Sequence, residues 1–334
     1  MKNHFPLFYT DTKKTKIDAV KTGMIFLDTN VLLHFFRLGE SFSQTFFQML
    51  EKVQDRVFIP YQVAKEYHPN YVELCVKLRK KYENAINDLT KLTDPFKQLE
   101  KLNSDYVRFI DKEFRKSVKD EFNLQVNKIR EKYVSSISFL KEELETGVLF
   151  RKVGDFFSDK VLESLSDKEI EETHKNGKER YDKEIPPGYM DEKKGDNIYG
   201  DLIIWEEIIK CVASRPDVKY AIFVSDDVKE DWILKISGEQ HGPRQELINE
   251  FNDRAHSRFF KMTVDTFIDA IQTAYKVVEE AEAKQAQEAS SGFQKTQQIR
   301  TGDKIVRRNN NDKLQYGSEK AENPEADKLT EFED

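Results

Sequence analysis

The sequence predicts an α/β protein whose central sheet is mostly parallel. Two observations carry this prediction: short apolar runs with the length and composition of buried strands, and stretches of helical periodicity that alternate with them. The predicted strands are Met24–Leu27, Val57–Ile59, Tyr220–Val224 and Arg258–Met262. Strands that alternate with helices indicate a parallel sheet covered by helices on both faces, which is a three-layer arrangement.

The predicted helices follow the strands along the chain. Each begins near a turn or capping residue and carries apolar residues at helical spacing. They are Ser43–Val53, a helix from Gln62 onward, Asp201–Ala213 and Val264–Val278, with a further short helix directly behind Met24–Leu27.

Residues 75–182 differ from the rest in having no convincing strand and few glycines. Between Lys77 and Glu184 there are 24 basic and 23 acidic residues, a balance typical of solvated helices with i,i+4 ion pairs. We therefore predict a helical insertion of long antiparallel helices. The expected domains are 1–74 and 183–278 as two parts of one α/β domain, the insertion 75–182, and a C-terminal extension 279–334.

The C-terminal extension changes composition twice. Glu279–Ala289 is predicted to continue the preceding helix. From Ser290 to Asp334 the chain is polar with an acidic end, a composition typical of disorder.

The bulk composition restricts the class of protein. The chain of 334 residues is 38% hydrophobic and 34% charged, with a net charge of −7, which argues against nonspecific coating of nucleic acid but not against a nuclease with a local basic groove. Two distant cysteines, Cys75 and Cys211, favour a reducing compartment. No apolar run approaches the length of a membrane span. The sequence predicts a cytoplasmic protein without a membrane partner.

One carboxylate interrupts the stretch Phe26–Phe36. Apolar residues lead to Asp28 and resume after Asn30, as expected for a buried strand that ends in an acid. Ligands of open α/β sheets bind at the carboxyl ends of the strands, which favours a metal-binding or phosphate-binding role. Capping of the next helix explains Asp28 nearly as well.

Two more acids lie at predicted helix starts. Glu66 follows the second strand and Pro60, and Asp201 lies in the segment YGDLIIW at 199–205. A surface glutamate and a helix N-cap are equally good explanations for these two acids. Asp196 is a weaker competitor of Asp201.

The strand Tyr220–Val224 runs directly into Ser225, Asp226 and Asp227, with Asp231 four residues further on. Adjacent carboxylates repel one another, and a cation would relieve the repulsion. The pattern therefore favours function over stability, with Asp227 and Asp226 as alternative ligands. Asp231 is expected either to complete the site or to orient Lys229.

Together these acids predict a divalent metal site. Mg²⁺ and Mn²⁺ prefer oxygen ligands and use few carboxylates. The six histidines are scattered, which disfavours zinc. The chain has neither a Gly-rich phosphate loop nor a Ser-centred nucleophile elbow.

The order of these acids along the chain resembles that in PIN-domain nucleases, and the amino-acid sequences of the motifs resemble those of a large bacterial PIN-like subgroup. The residues that carry the resemblance are Asp28-Thr29-Asn30, Glu66, Asp201, and Ser225 with Asp227. The subgroup resemblance adds PPGYMD at 186–191, KEDW at 229–232 and GPRQELINEF at 242–251, so that it covers roughly residues 20–275.

The resemblance implies a PIN-like, Rossmann-like fold and a metal-dependent nuclease. Asp28, Glu66, Asp201 and Asp227 are then the catalytic and metal-binding residues, with Asp226 as a further ligand candidate. It implies RNA as substrate, most often single-stranded, although nothing in the residues excludes DNA. A role as a bacterial toxin or phage-defence effector is expected only by analogy with large PIN-like proteins of this type.

Four residues are expected to contact the substrate: Asn30, Ser225, Arg244 and Tyr189. Asn30 is also expected to support Asp28, and a structural salt bridge or a core tyrosine explains Arg244 and Tyr189 equally well. A homodimer, or a partner protein on the helical insertion, fits the sequence.

Two alternatives remain open. One is a phosphohydrolase of the haloacid dehalogenase type, disfavoured because Asn30 stands where that class has a second Asp. The other is a non-catalytic binding module with vestigial acids.

Overall fold

The central sheet has four parallel strands in the order β2-β1-β3-β6. A computed structural model describes residues 12–92, 112–191, 197–237 and 239–296. Helices cover the sheet, so that the predicted α/β class with a mostly parallel sheet is confirmed.

The strands are β1 (Met24–Leu27), β2 (Val57–Phe58), β3 (Tyr220–Val224), β4 (Ile233–Ile236), β5 (Glu239–Pro243) and β6 (Arg258–Met262). The helices of the first half are α1 (Lys13–Thr22), α2 (Thr29–Leu32), α3 (His34–Arg37), α4 (Glu40–Lys52) and α5 (Tyr61–Leu92). The remaining helices are α6 (Lys112–Thr146), α7 (Val148–Phe156), α8 (Asp167–Asp182), α9 (Gly200–Ala213), α10 (Gln245–Ala255), α11 (Val264–Tyr275) and α12 (280–296).

The three longer strands of the sheet end level with one another. Leu27 pairs with Val224, and Val224 with Met262, at the carboxyl ends of β1, β3 and β6. The β1 and β3 strands are buried over nearly their whole length because helices pack on both faces. The residues that follow them therefore emerge side by side at one edge, and this edge carries the site.

The predicted helical insertion is largely a two-helix arm. Tyr71 contacts Glu143 near the base of the arm and Tyr82 stacks on Tyr133 further out, so that α5 and α6 run antiparallel. Helix α5 passes without a break through residue 75. The boundary expected between 74 and 75 therefore falls inside the helix that also carries Glu66.

The β4–β5 hairpin was not predicted. It is antiparallel and lies between β3 and α10. Its residues include Lys235, Ser237 and His241, and they lack the apolar alternation that marks a half-buried strand. Ser237 adopts a positive φ of 53° at the turn.

The C-terminal helices differ from the prediction. Helix α11 ends at Tyr275 and is followed by Lys276 with a positive φ of 51°, and a separate helix runs over 280–296. Residues 290–296, for which disorder was predicted, are therefore helical. The prediction of disorder for 297–334 lies outside the described residues. Ala283 and Ala286 belong to the same hydrophobic core as the central sheet.

In the part of the chain that the structure describes, none of the helices combines the length and apolar character needed to cross a membrane.

Candidate active site

Asp28 lies at the point where β1 gives way to α2. Its backbone N–H donates to Val224 O at 3.0 Å, which continues the sheet, and its Oδ1 accepts the Thr29 N–H at 2.6 Å. Both sequence interpretations therefore describe real contacts: Asp28 caps α2 and also faces the other acids. Burial, and the neighbouring Asp201, Glu66 and Asp227, raise the pKa of Asp28 to about 7.

Ser225 and Asn30 hold the second carboxylate oxygen of Asp28. Ser225 follows β3 in the register position opposite Asp28, and its hydroxyl donates to Asp28 Oδ2 at 2.6 Å. The Asn30 amide donates to the same oxygen and to Ser225 Oγ, while its Oδ1 accepts the Asp226 N–H at 3.0 Å. Asn30 thereby ties the ends of β1 and β3 together.

These contacts bear on the expected roles of two residues. Ser225 is fully buried, and its hydroxyl also accepts the Asp227 N–H at 3.1 Å. The structure therefore makes Ser225 a support of Asp28 without access to a substrate. The Asn30 amide is likewise engaged within the protein, as its expected supporting role requires.

Glu66 lies on the second turn of α5, next to the same edge. Its Oε2 accepts the Thr29 hydroxyl at 3.0 Å, and its Oε1 accepts the amides of Gln62 at 2.9 Å and Asn197 at 2.8 Å. A Cβ on Gly200 would lie 2.9 Å from Glu66 Oε1. The glycine at the start of α9 therefore allows α5 and α9 to approach at the site.

The start of α5 is itself held by a buried acid. Glu207 on α9 is 3% exposed, and its Oε2 accepts the Gln62 N–H at 3.0 Å. Burial raises the pKa of Glu207 to about 7. This carboxylate satisfies a backbone donor at the α5 N-terminus and so fixes the turn that precedes Glu66.

Asp201 and Asp227 meet at the ammonium group of Lys229. Lys229 Nζ lies 2.7 Å from Asp227 Oδ2 and 3.4 Å from Asp201 Oδ2, and the Trp232 indole donates to Asp201 Oδ2 at 3.2 Å. Burial raises the pKa of Asp201 to about 6 against the opposing charge of Lys229. The pKa of Asp227 is lowered because Lys229 outweighs the cost of its burial.

Asp191 is a further acid of this group. Its Oδ2 lies 2.9 Å from Lys229 Nζ, and the residue is 7% exposed at the end of a 3₁₀ turn, Tyr189–Asp191. Asp231 holds that turn in place, because its Oδ2 accepts the N–H groups of Gly188 at 3.1 Å and Met190 at 3.2 Å. Asp231 therefore positions Asp191, which neither sequence interpretation of Asp231 anticipated.

Asp226 points to the opposite side of its loop. Its Oδ2 lies 2.7 Å from His34 Nε2, and its Oδ1 accepts the Val264 N–H at 2.9 Å and the Gln294 amide at 2.7 Å. The structure does not bring Asp226 together with Asp28 and Asp201. Asp226 instead anchors α11 and α12 to the loop after β3, which leaves Asp227 as the acid of this pair that faces the site.

Two cations lie around the loop after β3. Lys261, on β6, is 8% exposed, and its ammonium donates to the carbonyls of Ser225, at 3.0 Å, and Asp227. Burial lowers the pKa of Lys261. Arg244 Nη1 donates to the Tyr189 hydroxyl at 3.3 Å, and Arg244 also pairs with Glu246. Arg244 is thus paired with Tyr189, the first residue of the turn that contains Asp191.

The acids form one cluster at the carboxyl edge of the sheet, named here the acid cluster: Asp28, Glu66, Asp191, Asp201 and Asp227. By ligand type it fits a divalent cation, because it offers hard carboxylate oxygens, and burial together with the charge of neighbouring acids raises the pKa of Asp28 and Asp201. Within the described ranges, however, no group of three Asp, Glu, His or Cys side chains is arranged to hold a metal ion directly. The Lys229 ammonium lies between three of the acids instead.

The comparison with protein families agrees with this geometry. The family model described as a PIN like domain matches residues 24–247, more than half of the chain. The chain belongs to the PIN-like domain family. Members of this superfamily are usually metal-dependent nucleases, and all five residues of the acid cluster lie inside the matched segment of the PIN-like domain. No curated protein matches the chain, and no solved structure does.

Sequence reasoning missed three residues of the PIN-like site. Asp191 lies at the end of a turn and does not follow a strand, so that a search for acids at strand ends does not find it. Lys229 was considered only as a partner of Asp231. Lys261 could have been found because it is a cation between the apolar residues Phe260 and Met262 of a predicted buried strand, and a buried charge normally requires a specific partner.

Proposed function

We propose that the protein is a metal-dependent nuclease, and specifically an RNA endonuclease that acts on single strands. The observation that carries the proposal is the acid cluster. Asp28, Glu66, Asp201 and Asp227 come from four separate parts of the chain, and their carboxylates lie at one edge of the sheet. Stability alone gives no reason to gather like charges in a half-buried position.

In this proposal, Asp28, Asp201 and Asp227 hold Mg²⁺ or Mn²⁺, with Glu66 as a further ligand. When bound, such an ion would supply a water of lowered pKa and would neutralise charge on the phosphate. The protein orients its own acids: Ser225 and Asn30 fix Asp28, Thr29 fixes Glu66, and the Trp232 indole fixes Asp201. Such supports limit the rotation of ligands and make the site selective for one geometry.

The substrate assignment rests on the resemblance to PIN-domain nucleases. RNA is favoured over DNA on that ground alone. Tyr189 begins the turn that contains Asp191, Arg244 bonds to its hydroxyl, and both residues are proposed to contact the phosphate backbone. A cytoplasmic toxin or phage-defence effector is the proposed setting. The two described cysteines, both buried and free, fit a reducing compartment.

The test is the double substitution Asp28→Asn with Asp201→Asn, assayed on labelled single-stranded RNA with Mg²⁺ or Mn²⁺. Single-stranded DNA and duplex RNA of the same sequence are assayed in parallel. The matched control is Asp155→Asn with Asp217→Asn, which makes the same change of charge at two exposed positions. We expect cleavage by the control and none by the site variant. Undiminished RNA cleavage by a folded site variant would refute the assignment.

A non-catalytic binding module is the second candidate, and one observation favours it. The Lys229 ammonium already neutralises part of the cluster, and no three ligands in the described residues are placed for a metal. A thermal melt with and without Mn²⁺ separates the candidates. Vestigial acids predict no shift of Tm, whereas a functional site predicts an increase that depends on Mn²⁺ concentration.

A further inference from the structure

Lys229 is positioned to satisfy three carboxylates at once. Its ammonium carries three N–H donors, and it lies 2.7, 2.9 and 3.4 Å from oxygens of Asp227, Asp191 and Asp201 respectively. The backbone N–H of Lys229 also donates to Asp227 Oδ1 at 3.0 Å. Asp227 therefore binds the same residue through both of its oxygens.

The position of Lys229 is unusual for a residue of a metal site. A fixed positive charge between two proposed ligands repels a divalent cation and occupies the same oxygens. Carboxylate oxygens contact Mg²⁺ at about 2.0–2.1 Å, so that an ion bound through the Oδ2 atoms of Asp201 and Asp227 would compete with the ammonium for these two oxygens.

The Lys229 side chain has the length and the partial exposure that a change of partner requires. It is 27% exposed and reaches the acids on a flexible four-carbon stem. Asp191, in contrast, is on a turn whose backbone is fixed by Asp231. Of the three carboxylates, Asp191 is the one that no predicted ligand set includes, and it can keep the ammonium after the other two are withdrawn.

We propose that Lys229 is the internal counter-ion of the acid cluster and that a divalent cation enters by exchange with it. In the absence of metal, the ammonium neutralises Asp191, Asp201 and Asp227. On metal binding, Asp201 and Asp227 would pass to the ion, and Lys229 would stay with Asp191. The exchange sets the metal concentration at which the site loads. This inference rests on the proposed function for the identity of the cation.

The experiment compares Mn²⁺ binding by wild type and Lys229→Met, using isothermal titration calorimetry without nucleic acid. Methionine keeps the unbranched apolar stem and removes the charge. The matched control is Lys210→Met, which removes an equal charge from an ion pair with Glu169 on α8, outside the acid cluster.

We expect Lys229→Met to bind Mn²⁺ about tenfold more tightly than wild type, because the competing cation is gone. Its Tm in EDTA is expected to be lower than that of wild type. Lys210→Met should match wild type in Mn²⁺ affinity. An unchanged or weakened Mn²⁺ affinity in folded Lys229→Met would overturn the exchange, whether or not the wild type cleaves nucleic acid.

A second measurement uses the wild-type protein and does not depend on the folding of a variant. Lysines are acetylated briefly in EDTA or in saturating Mn²⁺, and the peptide that contains Lys229 is quantified by mass spectrometry. Exchange predicts that Mn²⁺ increases the labelling of Lys229 relative to Lys210. Equal or decreased labelling of Lys229 would contradict the proposal. A wild type that shows this exchange but cleaves no nucleic acid would refute the nuclease and leave the exchange intact.

Discussion

Asp28 is the residue at which stability and function oppose one another. Its carboxylate is surrounded by three other acids, and burial with their charge raises its pKa to about 7 from an ordinary value of 3.8. The folded protein therefore keeps a proton that the unfolded chain has already released. It follows that this group lowers stability progressively as the pH rises from about 4 to about 7, and by a constant amount above that.

The substitution Asp28→Asn tests this dependence. Relative to wild type, we expect the variant to gain about 2 to 3 kcal/mol in free energy of unfolding between pH 5 and pH 8, because it carries no titrating group at this position. The measurement is urea denaturation in EDTA at both pH values. A difference between variant and wild type that does not change with pH would show that Asp28 titrates normally.

Ser225 supports Asp28 through a single buried hydrogen bond. We expect Ser225→Ala to weaken Mn²⁺ affinity and nucleic-acid cleavage by about 10- to 100-fold, the usual effect of losing a group that orients a ligand. Ser225→Thr keeps the hydroxyl and should restore both properties. Calorimetry and the RNA assay provide the measurements, and a fully active alanine variant would remove Ser225 from the mechanism.

At this scale the sequence predicted the acids that follow strands or lie at helix starts and missed Asp191, which lies in a 3₁₀ turn. Asp28 and Asp227 could be predicted because an apolar run ends directly before each group of polar residues. Asp191 could not, because its position depends on hydrogen bonds from Gly188 and Met190 to Asp231, some 40 residues away. The direction of Asp226 likewise depends on α12, which no local pattern connects to the loop after β3.

Among the elements, helix α12 makes the most distant contribution to the site. It lies beyond residue 247, where the family match ends, yet its Gln294 amide donates to Asp226 at 2.7 Å. The Phe293 ring packs edge-on against the His34 ring, with 5.2 Å between their centroids. The Arg37 guanidinium lies 5.4 Å from the centroid of the Phe293 ring. The accessory helix therefore holds the loop that presents Asp227.

Gln294→Ala tests the role of this helix. Loss of one donor to a buried carboxylate should lower the free energy of unfolding by about 1 kcal/mol and should reduce cleavage through the adjacent Asp227. Lys295→Ala, at an exposed neighbouring position, is the control and should behave as wild type. Urea denaturation and the RNA assay are the measurements. Equal behaviour of the two variants would show that α12 only covers the core.

The elements differ in how well local sequence specifies them. Strands β1, β3 and β6 were predicted within a residue because continuous apolar runs require burial on both faces. The β4–β5 hairpin and the last turns of α12 were not predicted. Ser290, Ser291 and Gly292 have low helix propensity, and tertiary contacts such as those of Phe293 and Gln294 override it.

Across the whole molecule, one hydrophobic core joins α1, the sheet and α12, with Ala19 and Ala286 both inside it. The arm of α5 and α6 extends from this core. The part of the arm beyond the stacked pair Tyr82 and Tyr133 contains no member of the acid cluster. The described residues of this outer part include exposed apolar side chains such as Phe114 and Val118.

We therefore expect the outer arm to be dispensable for folding. Replacement of residues 83–132 by a short Gly/Ser turn should leave Tm within a few degrees and Mn²⁺ affinity within a factor of about two, since surface changes away from the core usually have small effects. Cleavage of short RNA should persist. Circular dichroism melts and calorimetry measure these outcomes, and an unfolded product would mean that the arm and the core fold as one unit.

The bond between Asp226 and Gln294 spans 68 residues of chain, and it has a consequence for synthesis on the ribosome. All the acids of the cluster are translated before α12, so that a nascent chain carries every proposed ligand while Asp226 still lacks one of its partners. The loop after β3 reaches its final set of contacts only when residue 294 has left the exit tunnel.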